Sequence, residues 1–310
     1  MTGEFAAIEA IRVALPGHPE PGEIWIGDDA AVLLTPREGV LLMAADTVVE
    51  GVHTDPSLTT AADLGWKAMA ACLSDMAAMG GVGRWALVTV AGPEGTDLGA
   101  LYDGIGAAAE VFSCPVVGGD LSNARSLVVT VALTGSCPGK PVLRGGARPG
   151  DGVWVTGPLG SSAAGLRLLR DARTGGAAAA PARGPHDSAL MDRHARPLPR
   201  LAEGVAARSC GATAMIDVSD GLASDIWHLA DASTVGIELD EVPVAPGATI
   251  EEALSGGEDF ELVFCAPAGT RVKEAFEGMR SPVRIGTCSS TAGVRLAGVG
   301  LESRGWEHRW

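Results

Sequence analysis

The chain is short of basic residues, of aromatic residues and of long apolar runs. Lys and Arg number 23 against 38 Asp and Glu, the formal net charge is −15 at pH 7, and aromatic residues make up 4% of the 310 positions. Because a phosphate-backbone partner is bound by clustered Lys and Arg, we expect no nucleic-acid partner. The apolar stretches, such as 127–133, fall short of the roughly 20 residues that a membrane-spanning helix needs, so we expect no membrane partner either.

The cysteines carry no recognisable pairing or metal-binding pattern. The six of them form neither a C-x-x-C pair nor a zinc-like spacing, which favours a reducing compartment. The first residues include Glu4 and Glu9 and lack the basic segment of a signal peptide, so we interpret Met1 as the mature start. Together these features predict a cytoplasmic location.

Short runs rich in Val, Leu and Ile alternate with helical patterns along the whole length. This alternation indicates an α/β or α+β fold rather than an all-helical or all-β one. The Gly- and Pro-rich segment 136–152 predicts a boundary near residue 140, and hence domains 1–139 and 140–310. The low-complexity tract 173–185 is interpreted as a surface insertion. The predicted strands are 40–45, 85–91, 116–117, 127–134, 153–156, 213–216 and 262–265, and the predicted helices are 61–79, 97–111, 161–171 and 222–232.

Several apolar runs end in an aspartate, namely at Asp29, Asp46, Asp120 and Asp217. In open α/β sheets, ligands bind beyond the carboxyl ends of the strands, so acids there can converge. Converging carboxylates repel one another unless a hard cation such as Mg²⁺ lies between them. The alternative is that each Asp caps a turn or a helix. For any single Asp we favour the capping interpretation, and for the set as a whole we favour metal binding.

Asp75 lies on one stripe of the predicted helix 61–79, and the other residues of that stripe, Ala68, Cys72 and Met79, are apolar. It should therefore face inward, where an isolated carboxylate is costly and requires a cation, a proton or several donors. A buried salt bridge is the structural alternative. Three residues on an adjoining face are interpreted as boundary positions: Lys67, Ser74 and Ala78.

Two further segments place acids in or next to predicted turns. In MIDVSDGLASD, the residues Asp217, Ser219 and Asp220 precede a helix, where free N–H groups favour phosphate and the acids favour Mg²⁺. In SGGEDFEL, Glu258 and Asp259 follow a Gly pair and precede an apolar strand, and a charged turn is the alternative. The strand-to-helix turn TGPLGSS (156–162) could hold phosphate on its backbone N–H groups, and GGD (118–120) could let a ligand approach the main chain. No P-loop or Rossmann glycine pattern is present.

Taken in order, these segments resemble the thiamine-monophosphate kinase family of the aminoimidazole ribonucleotide synthetase-like superfamily. The resemblance covers nearly the whole chain and includes ten motifs. These are GEFAAI (3–8), IGDDAAVL (26–33), DTVVEGVH (46–53), GWKAMAACLSDMAAMGG (65–81), GGDLS (118–122), RGGARPGD (144–151), TGPLGSSAAGL (156–166), HARPLPRL (194–201), IDVSDGLASD (216–225) and LSGGEDFELVF (254–264).

The resemblance implies a two-domain protein in which an N-terminal mixed-sheet domain dimerises and a C-terminal α/β domain completes the site. The implied reaction is direct in-line transfer of the ATP γ-phosphoryl group to thiamine monophosphate, giving thiamine diphosphate. The implied Mg²⁺ ligands are Asp29, Asp46, Asp75, Asp120, Asp217 and Asp220. The implied ATP contacts are Gly119, Asp120, Arg144, Ser219 and Tyr102. The implied substrate contacts are His53, Glu258 and Trp306, and the implied catalytic residues are Asp75, Asp217 and Arg144.

The chain departs from the family at Ala44–Ala45, where members commonly have a Ser-Thr pair whose hydroxyls are available to metal. One ion is therefore expected to bind more weakly or through water. Two alternatives stay open. One is another ATP-dependent superfamily member that acts on a different small substrate, and the other is a catalytically inactive nucleotide- or metal-binding paralogue.

Overall fold

Residues 13–18, 40–174, 184 and 186–306 are described by the computed structural model. Asp29 and the motifs GEFAAI and IGDDAAVL lie outside the described residues, as does most of the tract 173–185. The chain divides into unit 1, Met1–Met76 and Val82–Lys140, and unit 2, Ala77–Gly81 and Pro141–Trp310. Within the described residues, no helix is both long enough and apolar enough to cross a membrane.

Unit 1 is built on a four-stranded mixed sheet. Its strand order is β1-β4-β2-β3, with β4 antiparallel to both of its neighbours and β2 parallel to β3. The mixed sheet that the sequence led us to expect is therefore confirmed. The elements are β1 (Val40–Val49), α1 (Ala61–Ala78), β2 (Val82–Gly92), α2 (Leu98–Val111), β3 (Val116–Asn123) and β4 (Val128–Cys137).

Helices cover one face of this sheet, and the described residues leave the other face, which carries Leu41, Met43 and Leu87, open. Along β4 the side chains of Val129, Val131 and Leu133 are buried, whereas the residues between them are only half-buried, as expected for a sheet covered on one side. The helices α1 and α2 approach each other at two glycines, because a Cβ at Gly65 would lie 2.2 Å from the Leu101 carbonyl oxygen and one at Gly104 would lie 1.8 Å from that of Ala62.

Unit 2 is built on a seven-stranded mixed sheet. Its strand order is β11-β10-β7-β9-β5-β8-β6, and the one parallel pair among its described strands is β10 with β7. The strands are β5 (Gly152–Val155), β6 (Ala214–Asp217), β7 (Gly236–Leu239), β8 (Leu262–Ala266), β9 (Val283–Ser289), β10 (Val294–Leu296) and β11 (Val299–Gly300). The helices are α3 (Ser161–Thr174), α4 (Asp187–Ala195), α5 (Leu201–Ser209), α6 (Leu222–Ser233), α7 (Ile250–Ser255) and α8 (Val272–Ala275).

The core of unit 2 joins α6 to the sheet. Leu222, Ile226 and Leu229, the apolar stripe of α6, are fully buried and pack in one cluster with sheet residues such as Val155 and Val263. Each buried aliphatic side chain of this size contributes about 1.5–3 kcal/mol relative to an exposed one. This packing fixes α6, and with it the turn that precedes the helix.

The interpretation of Lys67, Ser74 and Ala78 as boundary positions is wrong. Their exposed fractions are 1%, 0% and 9%. From Leu64 to Ala78, all residues of α1 except Asp75 are buried, so this helix has no solvated face on which boundary positions could lie. A helix that is buried all round carries no amphipathic stripe from which its faces could be told apart.

Candidate functional site

The turn between β6 and α6 carries three of the predicted site residues. Asp217 ends β6 and is 4% exposed, while Ser219 and Asp220 are half-buried. The helix begins after Gly221, whose φ of 118° is accessible to glycine and strained for other residues. A Cβ at Gly221 would also lie 2.9 Å from the Ser255 carbonyl carbon. Glycine is therefore required here by both conformation and space.

Glu258 and Trp306 meet this turn from two distant segments of the chain. The backbone N–H of Glu258 donates to the Ser219 carbonyl at 2.8 Å, and that of Trp306 donates to the Asp220 carbonyl at 3.0 Å. Trp306 is 50% exposed. The Glu258 backbone has a φ of 65°, a strained value for a residue with a Cβ. The structure thus brings together five predicted site residues of unit 2.

Asp225 holds the same turn in place, and the sequence analysis did not single it out. Its side chain is buried, and Oδ2 accepts hydrogen bonds from the Asp220 N–H at 3.2 Å and the Gly221 N–H at 3.1 Å. Burial raises the pKa of Asp225 to about 8, and the negative charges of Asp217 and Asp220 add to the rise. An acid four residues after a helix-starting glycine, as in GLASD, is the signal that could have identified it.

Asp259, for which the sequence indicated no more than a charged turn, occupies the position considered for phosphate. Its carboxylate accepts from the backbone N–H groups of Gly160 at 2.5 Å and Ser162 at 3.1 Å, at the start of α3. Burial raises the pKa of Asp259 to about 7, while these hydrogen bonds oppose the rise. The backbone donors of the turn TGPLGSS are therefore bound by a side chain of the protein itself.

In unit 1, Asp46 and Asp75 lie on the side of the sheet that α1 covers. Both are half-buried, and Asp46 Oδ1 accepts from the Thr47 N–H at 2.7 Å. They share a neighbour in Cys72, whose thiol donates to the Val131 carbonyl. The pKa of Cys72 is raised by burial first and then by the charges of Asp75 and Asp46. Asp75 is thus less deeply buried than its stripe predicted, and its charge and that of Asp46 both act on Cys72.

Asp120 and Tyr102 are electrostatic neighbours in the same unit. Asp120 is exposed on β3 and lies in register with Thr89 of β2. Tyr102 is 6% exposed, and burial together with the Asp120 charge raises its pKa to about 12. The preceding Gly119 has a structural requirement of its own, because a Cβ there would lie 1.8 Å from the Val88 carbonyl oxygen. The sheet itself therefore requires the glycine that was considered for ligand approach.

His53 accepts a hydrogen bond through its side chain, and Arg144 accepts one through its backbone carbonyl. His53 Nδ1 accepts from the Val49 N–H at 3.0 Å in the turn after β1, so a neutral imidazole carries its proton on Nε2. Arg144 is exposed, and its carbonyl accepts from the hydroxyl of Ser233, the last residue of α6, at 3.3 Å. The Asp220 turn is at the opposite end of that helix.

The described carboxylates suit a hard divalent cation in their chemistry. Within the part of the chain that the structure describes, no group of three or more His, Cys, Asp or Glu residues is arranged to hold a metal ion. The donors in question are nevertheless carboxylate oxygens, which are the ligands that Mg²⁺ prefers. The raised pKa of Asp225, caused in part by Asp217 and Asp220, marks a concentration of negative charge that a cation would relieve. The residues therefore fit such an ion.

Two family models match the chain, the N-terminal domain of AIR synthase related protein over residues 27–137 and its C-terminal domain over residues 148–298. Thiamine-monophosphate kinase of Bacillus subtilis (strain 168) is 38% identical over 296 residues, which cover 89% of this chain and 86% of the relative.

Two solved structures are similar over nearly the whole chain. The crystal structure of thiamine-monophosphate kinase from Stenotrophomonas maltophilia K279a has a TM-score of 0.82 and 33% identity, and the match covers 96% of this chain and 98% of that one. A structure described as AaThiL complexed with AMPPCP and TMP has a TM-score of 0.79 and 34% identity, covering 99% and 97%. These matches confirm the fold expected from the sequence motifs.

Proposed function

The chain belongs to the thiamine-monophosphate kinase family of AIR synthase related proteins, and on this premise we propose that it phosphorylates thiamine monophosphate at the expense of ATP. The protein is then a phosphotransferase whose acceptor is a phosphate group, and its products are ADP and thiamine diphosphate. Support comes from the relatives of that name and from the similar structure that holds AMPPCP and TMP. The structural observation on which the proposal depends is that backbone hydrogen bonds join the Asp217–Asp220 turn to Glu258 and Trp306.

We further propose that several Mg²⁺ ions act in this reaction and that the phosphoryl group moves directly from ATP to the acceptor. Bound Mg²⁺ neutralises phosphate charge and keeps donor and acceptor in line. The carboxylates proposed to hold these ions are Asp29, Asp46, Asp75, Asp120, Asp217 and Asp220. Of these, Asp75 and Asp217 are proposed as catalytic. The acceptor is already an anion, so no general base is required.

The remaining residues are proposed to bind the two substrates. Arg144, catalytic in this proposal, would neutralise the ATP phosphates from the exposed segment in which it lies. The other ATP contacts would be Gly119, Asp120, Ser219 and Tyr102. On the thiamine side, the half-exposed indole of Trp306 suits a cationic thiazolium, and the carboxylate of Glu258 adds an opposite charge. His53 completes the proposed thiamine contacts.

A homodimer formed through unit 1 is part of the proposal. On the open face of its sheet, Leu41, Met43 and Leu87 are 52%, 76% and 45% exposed. Large apolar side chains exposed on one sheet face are typical of an interface rather than of a solvated surface. A second copy of the same face would cover them.

The decisive experiment measures ADP formation from Mg²⁺-ATP with thiamine monophosphate, and then with other small phosphates in its place. The proposal predicts ADP formation that requires thiamine monophosphate. ADP formation that requires a different phosphate would favour another ATP-dependent superfamily member. Binding of ATP without any substrate-dependent ADP would favour an inactive paralogue, for which the alanines at 44 and 45 are the specific observation.

A further inference from the structure

Unit 2 contains a cavity of about 210 Å³ that shares Glu258 with the contacts of the Asp217–Asp220 turn and is otherwise lined by other residues. It lies among the first residues of α3, the helix α4 and the segment 258–261. Three arginines from three different parts of the chain line it: Arg193, Arg200 and Arg280. In a chain with a net charge of −15, three guanidinium groups around one small cavity are an unusual concentration of positive charge.

Two of the arginines share one carboxylate. Arg200 binds Glu261 through two hydrogen bonds, Nε to Oε2 at 2.9 Å and Nη2 to Oε1 at 2.5 Å. Arg280 Nη1 lies 3.6 Å from the same Oε1, and the Thr156 hydroxyl donates to Oε2 at 2.6 Å. Glu261 is 3% exposed, and both of its carboxylate oxygens accept hydrogen bonds from Arg200 or Thr156.

Arg193 is the third arginine, and it makes no hydrogen bond or ion pair with the residues that the structure describes. Its side chain is half-buried, and its pKa is lowered by burial and by the charges of Arg200 and Arg280, while the charges of Glu261 and Asp259 partly oppose this lowering. The other acids at the cavity have partners. Asp259 accepts from the start of α3, and Glu258 Oε2 lies 3.7 Å from the buried His194 Nδ1. A half-buried guanidinium beside two other cations is costly without an anion.

We propose that this cavity binds a small phosphate-type oxyanion, with Arg193 as its principal ligand and Arg280 as a second. Guanidinium groups bind such oxyanions with paired N–H donors in a planar fork. Pockets for drug-sized ligands span about 300–1,000 Å³, and a cavity of about 210 Å³ is of a size to take a single phosphate group. That group could be inorganic phosphate or the phosphate of a small ester.

The test measures binding of inorganic phosphate by calorimetry, with EDTA present and chloride as the balancing anion at constant ionic strength. The wild-type protein should bind phosphate. Arg193→Gln should weaken this binding about tenfold or more, because a charge-assisted hydrogen bond is lost, and Arg280→Gln should weaken it less. Arg170→Gln, which removes an exposed arginine of α3 outside the cavity, should leave binding unchanged.

Thermal unfolding provides a readout that guards against misfolding of the variant. Phosphate should raise the melting temperature of the wild type and of Arg170→Gln but not that of Arg193→Gln, whose melting temperature without phosphate should equal or exceed the wild-type value. Equal phosphate binding by wild type and Arg193→Gln, or no binding by the wild type at millimolar phosphate, would overturn the proposal.

Competition then identifies the source of the oxyanion. If thiamine monophosphate displaces phosphate from the wild type, the cavity takes the phosphate of an ester. If phosphate stays bound at saturating thiamine monophosphate, the cavity takes inorganic phosphate. Both results support an oxyanion site. Because these measurements contain no ATP, their failure would leave the proposed kinase activity standing, and loss of that activity would leave this site standing.

Discussion

Replacing Asp225 tests whether this buried carboxylate positions the turn that carries Asp217 and Asp220. Its Oδ2 accepts from the N–H groups of Asp220 and Gly221. A buried N–H left without an acceptor costs about 1–3 kcal/mol, so Asp225→Ala should lower the free energy of unfolding by about 2–6 kcal/mol. Asp225→Asn retains an acceptor oxygen and is neutral, as the wild-type carboxyl is below its pKa of about 8, so at pH 7 it should stay within about 1 kcal/mol of the wild type.

The assay combines urea unfolding with the rate of ADP formation under conditions in which each variant is folded. Asp225→Ala should lose turnover because the turn is no longer held, and Asp225→Asn should retain most of it. Asp231→Ala, at an exposed position of the same helix, is the control and should match the wild type in both measurements. Stability of Asp225→Ala equal to the wild type, or losses in Asp225→Asn as large as those in Asp225→Ala, would refute the reasoning.

Three further predictions concern the metal site, the pH dependence of stability and the open sheet face. Asp217→Asn should reduce the kcat of ADP formation far more than it changes urea stability, because metal-assisted charge neutralisation is worth several kcal/mol, and Asp231→Asn should change neither. Asp259 has a folded pKa of about 7 against an ordinary 3.8, so the folded state holds its proton at pH values where the unfolded state has lost it. The free energy of unfolding should therefore fall, by at most about 4 kcal/mol, as pH rises from about 4 to about 7. Urea unfolding at several pH values measures this fall, and it should be smaller in Asp259→Asn. An equal dependence of the unfolding free energy on pH in the wild type and in Asp259→Asn would contradict the prediction. Met43→Asp together with Leu87→Asp should convert a homodimer into a monomer in size-exclusion chromatography, and an unchanged elution volume for a folded variant would place the interface elsewhere.

The strands and helices with the clearest periodicity could be predicted from the sequence. The runs at 85–91 and 127–134 became β2 and β4, and the pattern at 222–232 became α6 with its apolar stripe in the core. The pieces that were missed include α4 and α5, in which charged residues and alanines blur the apolar period. The short strands β7, β10 and β11 owe their form to pairing with distant segments, which a local pattern does not reveal.

Site residues that lie in sequence motifs could be predicted. Residues whose role depends on contacts between distant segments of the chain could not. The segments that contain Asp217, Glu258 and Trp306 were identified from the sequence, and the structure joins them by backbone hydrogen bonds. The role of Asp259 depends on the start of α3, about a hundred residues away in the chain, so no local signal revealed that it binds the turn considered for phosphate. The burial of Lys67 likewise follows from the packing around α1.

The most direct measurement follows the labelled γ-phosphate of ATP in a reaction with thiamine monophosphate and Mg²⁺. The account predicts that the label appears in thiamine diphosphate, with one ADP formed for each labelled product, and that Asp217→Asn largely abolishes the transfer. Label that appears only as inorganic phosphate, at a rate indifferent to thiamine monophosphate, would contradict it.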